Sequence, residues 1–343
     1  MAAPTRTVAP RPDHPVLVFW RVMKANPLSL FGFLLVAVIG ITAVVVLVAP
    51  HLLVPYAPQQ ETGAIFASPS WQHPLGTDAL GYDAYSNVML ALPLDLGIGF
   101  AVAGSALLLG GTLGLIAGFF DTPGTGSGWL SLSIMRVTDI FLSFPSLILA
   151  LALTRVLGLG VGPTVLAISL TWWPYYVRLV RGEVLAVKHL PYINAARAAG
   201  VTEGRILLRH VVRNVLEPVV VFFTLDVGTV LVTYSTIAFI GVASRYPGPQ
   251  PEWGAMLGYY QQTEPISAYP WLILAPGLAV FVTVFAFSLL GDGLRDILDP
   301  RTRRAFVRSV APHEPPKEVP VAEPGPEPAP PTGIGASDPG ASG

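Results

Sequence analysis

Apolar residues in this chain come in long unbroken runs, not at the spacing of a one-sided helix or strand. Six runs stand out, near residues 28–49, 93–120, 133–157, 160–180, 218–242 and 270–292. A helix needs about 20 apolar residues to cross the hydrocarbon layer of a membrane. Inside that layer every backbone N–H and C=O must be satisfied within the segment itself, so each run predicts a helix. The pattern therefore predicts an all-α membrane protein with six transmembrane helices. The first run is longer than a signal-peptide core and reads as an uncleaved anchor. The second is long enough to tilt or to project beyond the lipid.

Composition agrees. The 343 residues are 52% hydrophobic and 12% charged, against about 25% charged in soluble domains. The net charge of −1 says nothing about nucleic acid, and no nucleic-acid partner is expected. Cysteine is absent, which excludes disulfides and thiolate chemistry. The six histidines are scattered, with no pair at ligand spacing, so no metal site is expected. There are three lysines, and none completes the phosphate-binding loop GxxxxGK[ST]. If the chain takes part in ATP-driven work, ATP and Mg must be held by another subunit. No catalytic residue and no bound cofactor are expected in this one.

The polar segments divide the chain into an N-terminal segment (1–27), a membrane domain (28–300) and a tail (301–343). The tail has ten prolines from Ala311 onward and almost no large apolar residue, so it predicts a disordered, Pro-rich extension. Basic residues sort by segment. Four lie in the N-terminal segment, one at Arg136, seven between residues 178 and 217, and six from Arg295 on. These are alternate segments; only Arg155 and Arg245 fall on the other side. The positive-inside rule then predicts that both termini and the 181–217 loop are cytosolic. The loop at about 50–92 is predicted outside. Its Asp83 reads as a helix N-cap after a turn.

The most basic internal stretch is KHLPYINAARAAGVTEGRILLRHVVRNVLEP, Lys188 to Pro218. Asn194 to Gly200 has the rhythm of a short helix stopped by glycine, which tolerates positive φ at such a stop. Thr202 is placed to cap a second helix, with Glu203 in its first turn. That helix has an apolar side at Ile206, Leu207, Val211, Val212, Val215 and Leu216, and Arg205, Arg209 and Arg213 on another. Two readings are open: a cytosolic loop lying on its own membrane domain, or a plug whose small front fits a groove on a motor protein.

Within the apolar runs, Gly110, Gly114 and Gly118 form a double GxxxG stripe suited to close helix packing. Asp95 sits near the outer start of the second run, where water could hydrate it. Asp226 is deeper, roughly 12 Å into the fifth run at 1.5 Å per residue. A charge at that depth usually faces a water-filled path or a partner group. The spacing allows Asp226, Thr229 and Thr233 to share a face, and with Tyr234 they are the candidate translocation path. The alternative is a hydrogen-bonded Asp226 in a helix–helix contact.

Several blocks resemble one family in order along residues 26–301. They are HPLGTDxLGxD at 73–83, Arg136-Val-Thr-Asp139 with Phe144-Pro145, WPYYVRLVRGEVLAVK at 173–188, PEWGAMLG at 251–258 and PGLAVFVTVFAFSLLGDGLRDILDPR at 276–301. Ala195, Ala196 and Gly200 match its "EAA" loop; Asn194 stands where Glu is usual and Arg213 where Pro is common. The chain resembles the C-type permease subunit of dipeptide/oligopeptide ABC importers. The resemblance implies a type I ABC importer permease fold with a cytosolic coupling helix, in a bacterial cytoplasmic (inner) membrane. It implies a B-type sister permease, two ATP-binding subunits carrying ATP and Mg, and an extracytoplasmic substrate-binding protein. It places the ATPase-coupling surface at Asn194, Ala195, Ala196, Arg197, Gly200, Val201 and Glu203. Di- or oligopeptides are the implied cargo, with nickel, glutathione or another small solute as the alternative.

Two rivals fare worse. An intramembrane aspartyl protease using Asp226 and Asp292 needs the two carboxyls a few ångströms apart, and their depths disagree. A secondary transporter would show inverted repeats, and none is evident.

Overall fold

The computed structural model describes residues 27–122, 124–263 and 267–298. The expected N-terminal segment, save Pro27, and the expected Pro-rich tail lie outside them. The described residues are helical: α1 (Pro27–Val48), α2 (Ala84–Phe119), α3 (Gly126–Leu142), α4 (Ser146–Leu157), α5 (Val161–Val187), α6 (Pro191–Ala198), α7 (Glu203–Phe239), α8 (Trp253–Thr263) and α9 (Pro270–Leu298). Among the described residues there is no strand, only isolated bridges at Glu61–Tyr82 and Thr77–Asp83.

The six expected spans correspond to α1, α2, the pair α3–α4, α5, α7 and α9. Four of them, α1, α2, α7 and α9, are long and apolar enough by themselves to cross a membrane. The third run differs from expectation. It is two helices meeting at 87°, not one span. The break is at Ser143-Phe144-Pro145, where Pro145 precedes the first turn of α4 and has no N–H to continue α3. α5 is 27 residues long but carries Trp172-Trp173-Pro174-Tyr175-Tyr176 in its middle. It can afford that composition because Trp172, Trp173, Pro174, Tyr176, Val177, Val180 and Val184 are buried among other helices.

α2 and α5 form the central pair. Lipid tails are as apolar as leucine, so helices associate in a membrane through close packing more than through water exclusion. The glycine stripe supplies that closeness. A Cβ on Gly114 would lie 2.9 Å from Val177 O and from Val180 Cβ; one on Gly118 would lie 2.7 Å from Val184 Cβ. Gly110 meets Trp173 O closer still. α7 and α9 close the bundle, and the core is filled by Ile98, Val102, Ile168, Trp172, Tyr176, Val230, Tyr234, Ile237 and Phe287.

Hydrogen bonds fasten both ends. At one end the loop before α2 folds on two aspartates. Asp83 caps α2, its Oδ2 accepting from Ser86 N–H at 2.8 Å, and its Oδ1 meets His73 Nδ1 at 2.9 Å. Asp78 Oδ1 accepts from the N–H groups of Leu80 and Tyr82, and Asp78 Oδ2 accepts from Tyr246 Oη at 3.0 Å. The Tyr246 hydroxyl in turn accepts from Asn87 Nδ2 at 2.9 Å. Burial pushes the Asp78 carboxyl up from its ordinary value, and these donors oppose the shift. α2 thus begins at Ala84, about two turns before the apolar run that announced it.

At the other end the last turn of α2 offers carbonyls with no helical partner. Lys188 Nζ, buried, donates to Gly118 O and Asp121 O, each at 3.0 Å. Arg181 Nη2 pairs with Asp121 Oδ2 at 2.9 Å. Burial pushes the Lys188 ammonium below its ordinary value.

Two outcomes follow from these contacts. Gly114→Val should cost about 1–3 kcal/mol, the usual penalty for forcing side-chain carbons into a filled interface. Thermal unfolding of the detergent-solubilised chain should fall accordingly, and an unchanged midpoint would mean that α2 and α5 are not packed along this stripe. Lys188→Met removes a donor from two buried carbonyls, worth about 1–3 kcal/mol. Amide exchange at Phe119 to Asp121 should accelerate, and unaltered protection there would show that the ammonium does not hold this turn.

Candidate functional site

The stretch from Lys188 to Pro218 forms a compact knuckle. Leu190 precedes α6, whose first residue is Pro191, a favoured N1 residue because its missing N–H has no helical partner to lose. Ala199 caps the end of α6, and Gly200 follows with φ +79°. Gly200 N–H donates to Arg197 O at 2.9 Å, and Val201 N–H donates to Ala196 O at 3.1 Å. This is the paired closure of a Schellman stop, which needs a residue at positive φ. The glycine stop expected from the sequence is therefore present. Thr202 does hold the N-cap position of α7, but its side chain makes no capping bond.

The next turn departs from simple helical spacing. Leu207 to Val211 is a π-turn within α7. It inserts one residue, so the buried stripe runs Ile206, Val211, Val215, Val219. Of the apolar side expected, Leu207 and Val212 are half-buried and Leu216 is exposed. The helix then continues through Pro218 without a break, so knuckle and span are one rod from Glu203 to Phe239.

α6 is held to the bundle by a small apolar cluster. Ile193, Ile206, Val211 and Val215 pack with Phe119, Val180 and Val184, and Ala196 and Val201 lie against them. Arg197 straps the turn from the polar side. Its Nε donates to Glu203 Oε1 at 2.9 Å, and its Nη1 donates to Lys188 O at 3.2 Å and to Asn194 Oδ1 at 3.3 Å. The pair is partly exposed, 32% for Arg197 and 53% for Glu203, a setting in which ion pairs contribute about 0–1 kcal/mol. Its effect is on geometry more than stability. Asn194, Ala195, Ala198, Ala199 and Gly200 remain exposed as a front of small side chains, with Arg197 and Val201 half-buried behind it and Glu203 exposed at its edge.

The four path candidates are not brought to one face. Asp226 is buried, accepting from Trp172 Nε1 at 2.9 Å and from Tyr176 Oη at 2.8 Å, so it joins α7 to two successive turns of α5. Tyr234 is fully buried and its hydroxyl has no hydrogen-bond partner. Thr229 is exposed and Thr233 half-buried. Their hydroxyls donate to Leu225 O and Thr229 O of their own helix, at 3.4 and 3.0 Å. The i, i+3 spacing of Asp226 and Thr229 suggested a shared face. The donors on α5 fix Asp226 inward, while Thr229 lies toward the open side.

Asp95 also differs from expectation. It is fully buried, not hydrated, and its Oδ2 accepts from Trp253 N–H at 3.0 Å. Beside it lies Glu252, whose Oε1 accepts from Ser244 Oγ and from Ala255 N–H, and whose Oε2 accepts from Gly254 N–H. Burial pushes the Glu252 carboxyl up. The two acids thus sit at the N-terminal turn of α8, where unpaired N–H groups favour negative charge. The signal was available in sequence: Pro251-Glu252-Trp253 opens a short helix with an acid at its start.

A cavity of about 620 Å³ opens at the knuckle end, lined by Glu183 of α5, Asn214, Glu217 and Phe222 of α7, and Arg295 of α9.

Residues 110–304 match the family described as "Binding-protein-dependent transport system inner membrane component". The chain is 38% identical over 235 residues, 68% of its own length and 75% of the relative's, to a protein named glutathione transport system permease protein GsiD, from Pectobacterium atrosepticum. It is 34% identical over 284 residues, 83% of its own length and 89% of the relative's, to one named dipeptide transport system permease protein DppC, from Alkalihalophilus pseudofirmus. A chain of the MetNI methionine ABC transporter, in an inward-facing conformation, superposes with a TM-score of 0.45 at 19% identity, covering 58% of this chain and 92% of that one. The present chain therefore belongs to the inner-membrane components of binding-protein-dependent transport systems, the permease subunits of ABC importers, and has their type I permease fold.

Proposed function

We propose that this permease carries di- or oligopeptides inward, paired with a B-type sister permease and driven by two ATP-binding subunits. It is itself non-catalytic; ATP and Mg belong to the driving subunits, and an extracytoplasmic binding protein delivers the cargo. The knuckle and both termini face the cytosol, a reading that the distribution of arginine and lysine supports. The relative named for dipeptides supports this cargo. The relative named for glutathione, itself a small peptide, supports a second reading in which glutathione is carried.

The observation that carries the proposal is the exposed small-residue front of α6, braced by Arg197 and continuous with a transmembrane rod. Asn194, Ala195, Ala196, Arg197, Gly200, Val201 and Glu203 form the plug that seats in a groove of the ATP-binding subunit. A front of small side chains lets another backbone come close, and the half-buried Val201 and Ala196 keep it from deforming. When the ATP-binding subunits close, the plug moves as a body. α7 follows because the knuckle is its first turns, and α5 and α2 follow through Lys188 and Arg181. The open side of α7 at Thr229 and Thr233 lines the path with the sister subunit. Asp226 and Tyr234 act from behind, holding that helix against α5 and the core.

Gly200→Ile tests the plug. A non-glycine residue at φ +79° pays about 1–2 kcal/mol for its Cβ. That Cβ would meet nothing within 4 Å, so the cost is backbone strain at the turn and not a clash with the bundle. Cells carrying the whole transporter with this variant should hold normal amounts of the permease in the membrane and take up radiolabelled alanyl-alanine at under a tenth of the normal rate. Normal uptake would refute the plug.

A further inference from the structure

The end of the fold away from the knuckle holds a cavity of about 390 Å³ between α4, the end of α7 and α8. Its polar lining comes from Arg155, Ser244, Arg245, Tyr246, Tyr259 and Gln262. Arg155 and Arg245 are far apart in sequence, and no other lysine or arginine lies outside the segments assigned to the cytosol. The fold brings both to one cavity.

From this geometry we infer that the cavity is a binding site for the carboxylate of a small organic solute, entered from the extracytoplasmic side. The inference rests on the sidedness proposed above. Both arginines are exposed, and neither forms an ion pair with a described residue. Among the described residues, the arginine pairs Arg178–Asp139, Arg181–Asp121 and Arg197–Glu203 lie toward the knuckle. Among the described residues, two acids that contact the cavity lining are already engaged. Glu252 is held by Ser244 and by the first N–H groups of α8; Asp78 is held by Leu80, Tyr82 and Tyr246. Among the described residues, neither acid is available to pair with the guanidinium groups, which leaves their donors open to a ligand.

The chemistry narrows the ligand. Guanidinium presents paired N–H donors that match the two oxygens of a carboxylate. Beside the arginines the wall is apolar, with Ala238, Phe239, Ile240 and Ala255. An inorganic anion would leave that wall wet, whereas an organic acid covers it. The volume is within the range of about 300–1,000 Å³ typical of small-ligand sites. The cavity adjoins the end of α7, the helix that continues to the knuckle, so an occupant would touch the element that moves.

Protection of the two arginines from a sulfonated, membrane-impermeant arylglyoxal provides the test, read by peptide mass spectrometry on native membranes containing the whole transporter. In sealed right-side-out vesicles the reagent should modify Arg155 and Arg245 and spare Arg205 and Arg209; the reverse would overturn the sidedness. In opened vesicles, which remove sidedness from the question, alanyl-alanine should slow modification of both arginines at least fivefold. Alanyl-alanine amide and potassium chloride at equal ionic strength should not. Equal protection by the amide or by chloride, or stronger protection by inorganic phosphate, would overturn carboxylate recognition. Arg155→Gln should raise the alanyl-alanine concentration that half-protects Arg245 by at least tenfold. If the variant leaves that concentration unchanged, the two arginines do not share a ligand.

Discussion

The close approach of α2 and α5 along Gly110, Gly114 and Gly118 sets the positions of everything else. Without water to exclude, two helices in lipid gain from touching only in proportion to how tightly they touch. Glycine removes the side chain that would hold the backbones apart. Once α5 lies in that groove, Trp172 and Tyr176 face α7 and meet Asp226. The seam ends at Gly118, whose carbonyl is also one of the two that Lys188 grips. The packing of the centre and the anchoring of the knuckle are therefore one structure.

That arrangement explains how a small exposed helix can be coupled to distant parts of the bundle. α6 alone, at eight residues, is too short to be stable in water. It is ordered by Ile193 beneath it, by the Gly200 stop after it and by Arg197 across it. The π-turn at Leu207 to Val211 rotates the knuckle so that Ile206 joins the same buried stripe as Val215. Such turns often occur at functional positions, because the extra residue survives only where the shift in register is useful. At the opposite end a different device does the fastening. Buried acids collect N–H and hydroxyl donors: Asp78 takes Tyr246, Asp95 takes Trp253 N–H, and Glu252 takes Ser244. The first two join segments 168 and 158 positions apart, and the third closes the loop before α8.

Much of this was legible in the residue order. The six apolar runs located α1, α2, the α3–α4 pair, α5, α7 and α9, four of which are long and apolar enough to cross a membrane by themselves. Gly200 announced a helix stop, and Asp83 a helix start. The glycine stripe announced a close contact, though not its partner. Other features were not legible. Pro145 marked a breaking point, but nothing in the run from 133 to 157 set a bend of 87°. The single-residue insertion at the π-turn leaves no compositional trace. Asp226 could be placed at its depth, but whether it faced a path or a helix depended on Trp172 and Tyr176, about fifty positions earlier. Thr229 was grouped with it by spacing, and fell on the open side of the same helix.

Hydrophobic run length, the bias of basic residues and local stops determined by themselves that this is a helical membrane protein, where its long helices fall and where its knuckle lies. These properties depend on each segment's transfer into lipid and on backbone conformation, both of which are local. Only the tertiary structure decided which buried charges meet which donors, and that Arg155 and Arg245 share a cavity. Those outcomes depend on helix rotation and register, which are set by close contact between segments remote in sequence, and no single segment encodes them.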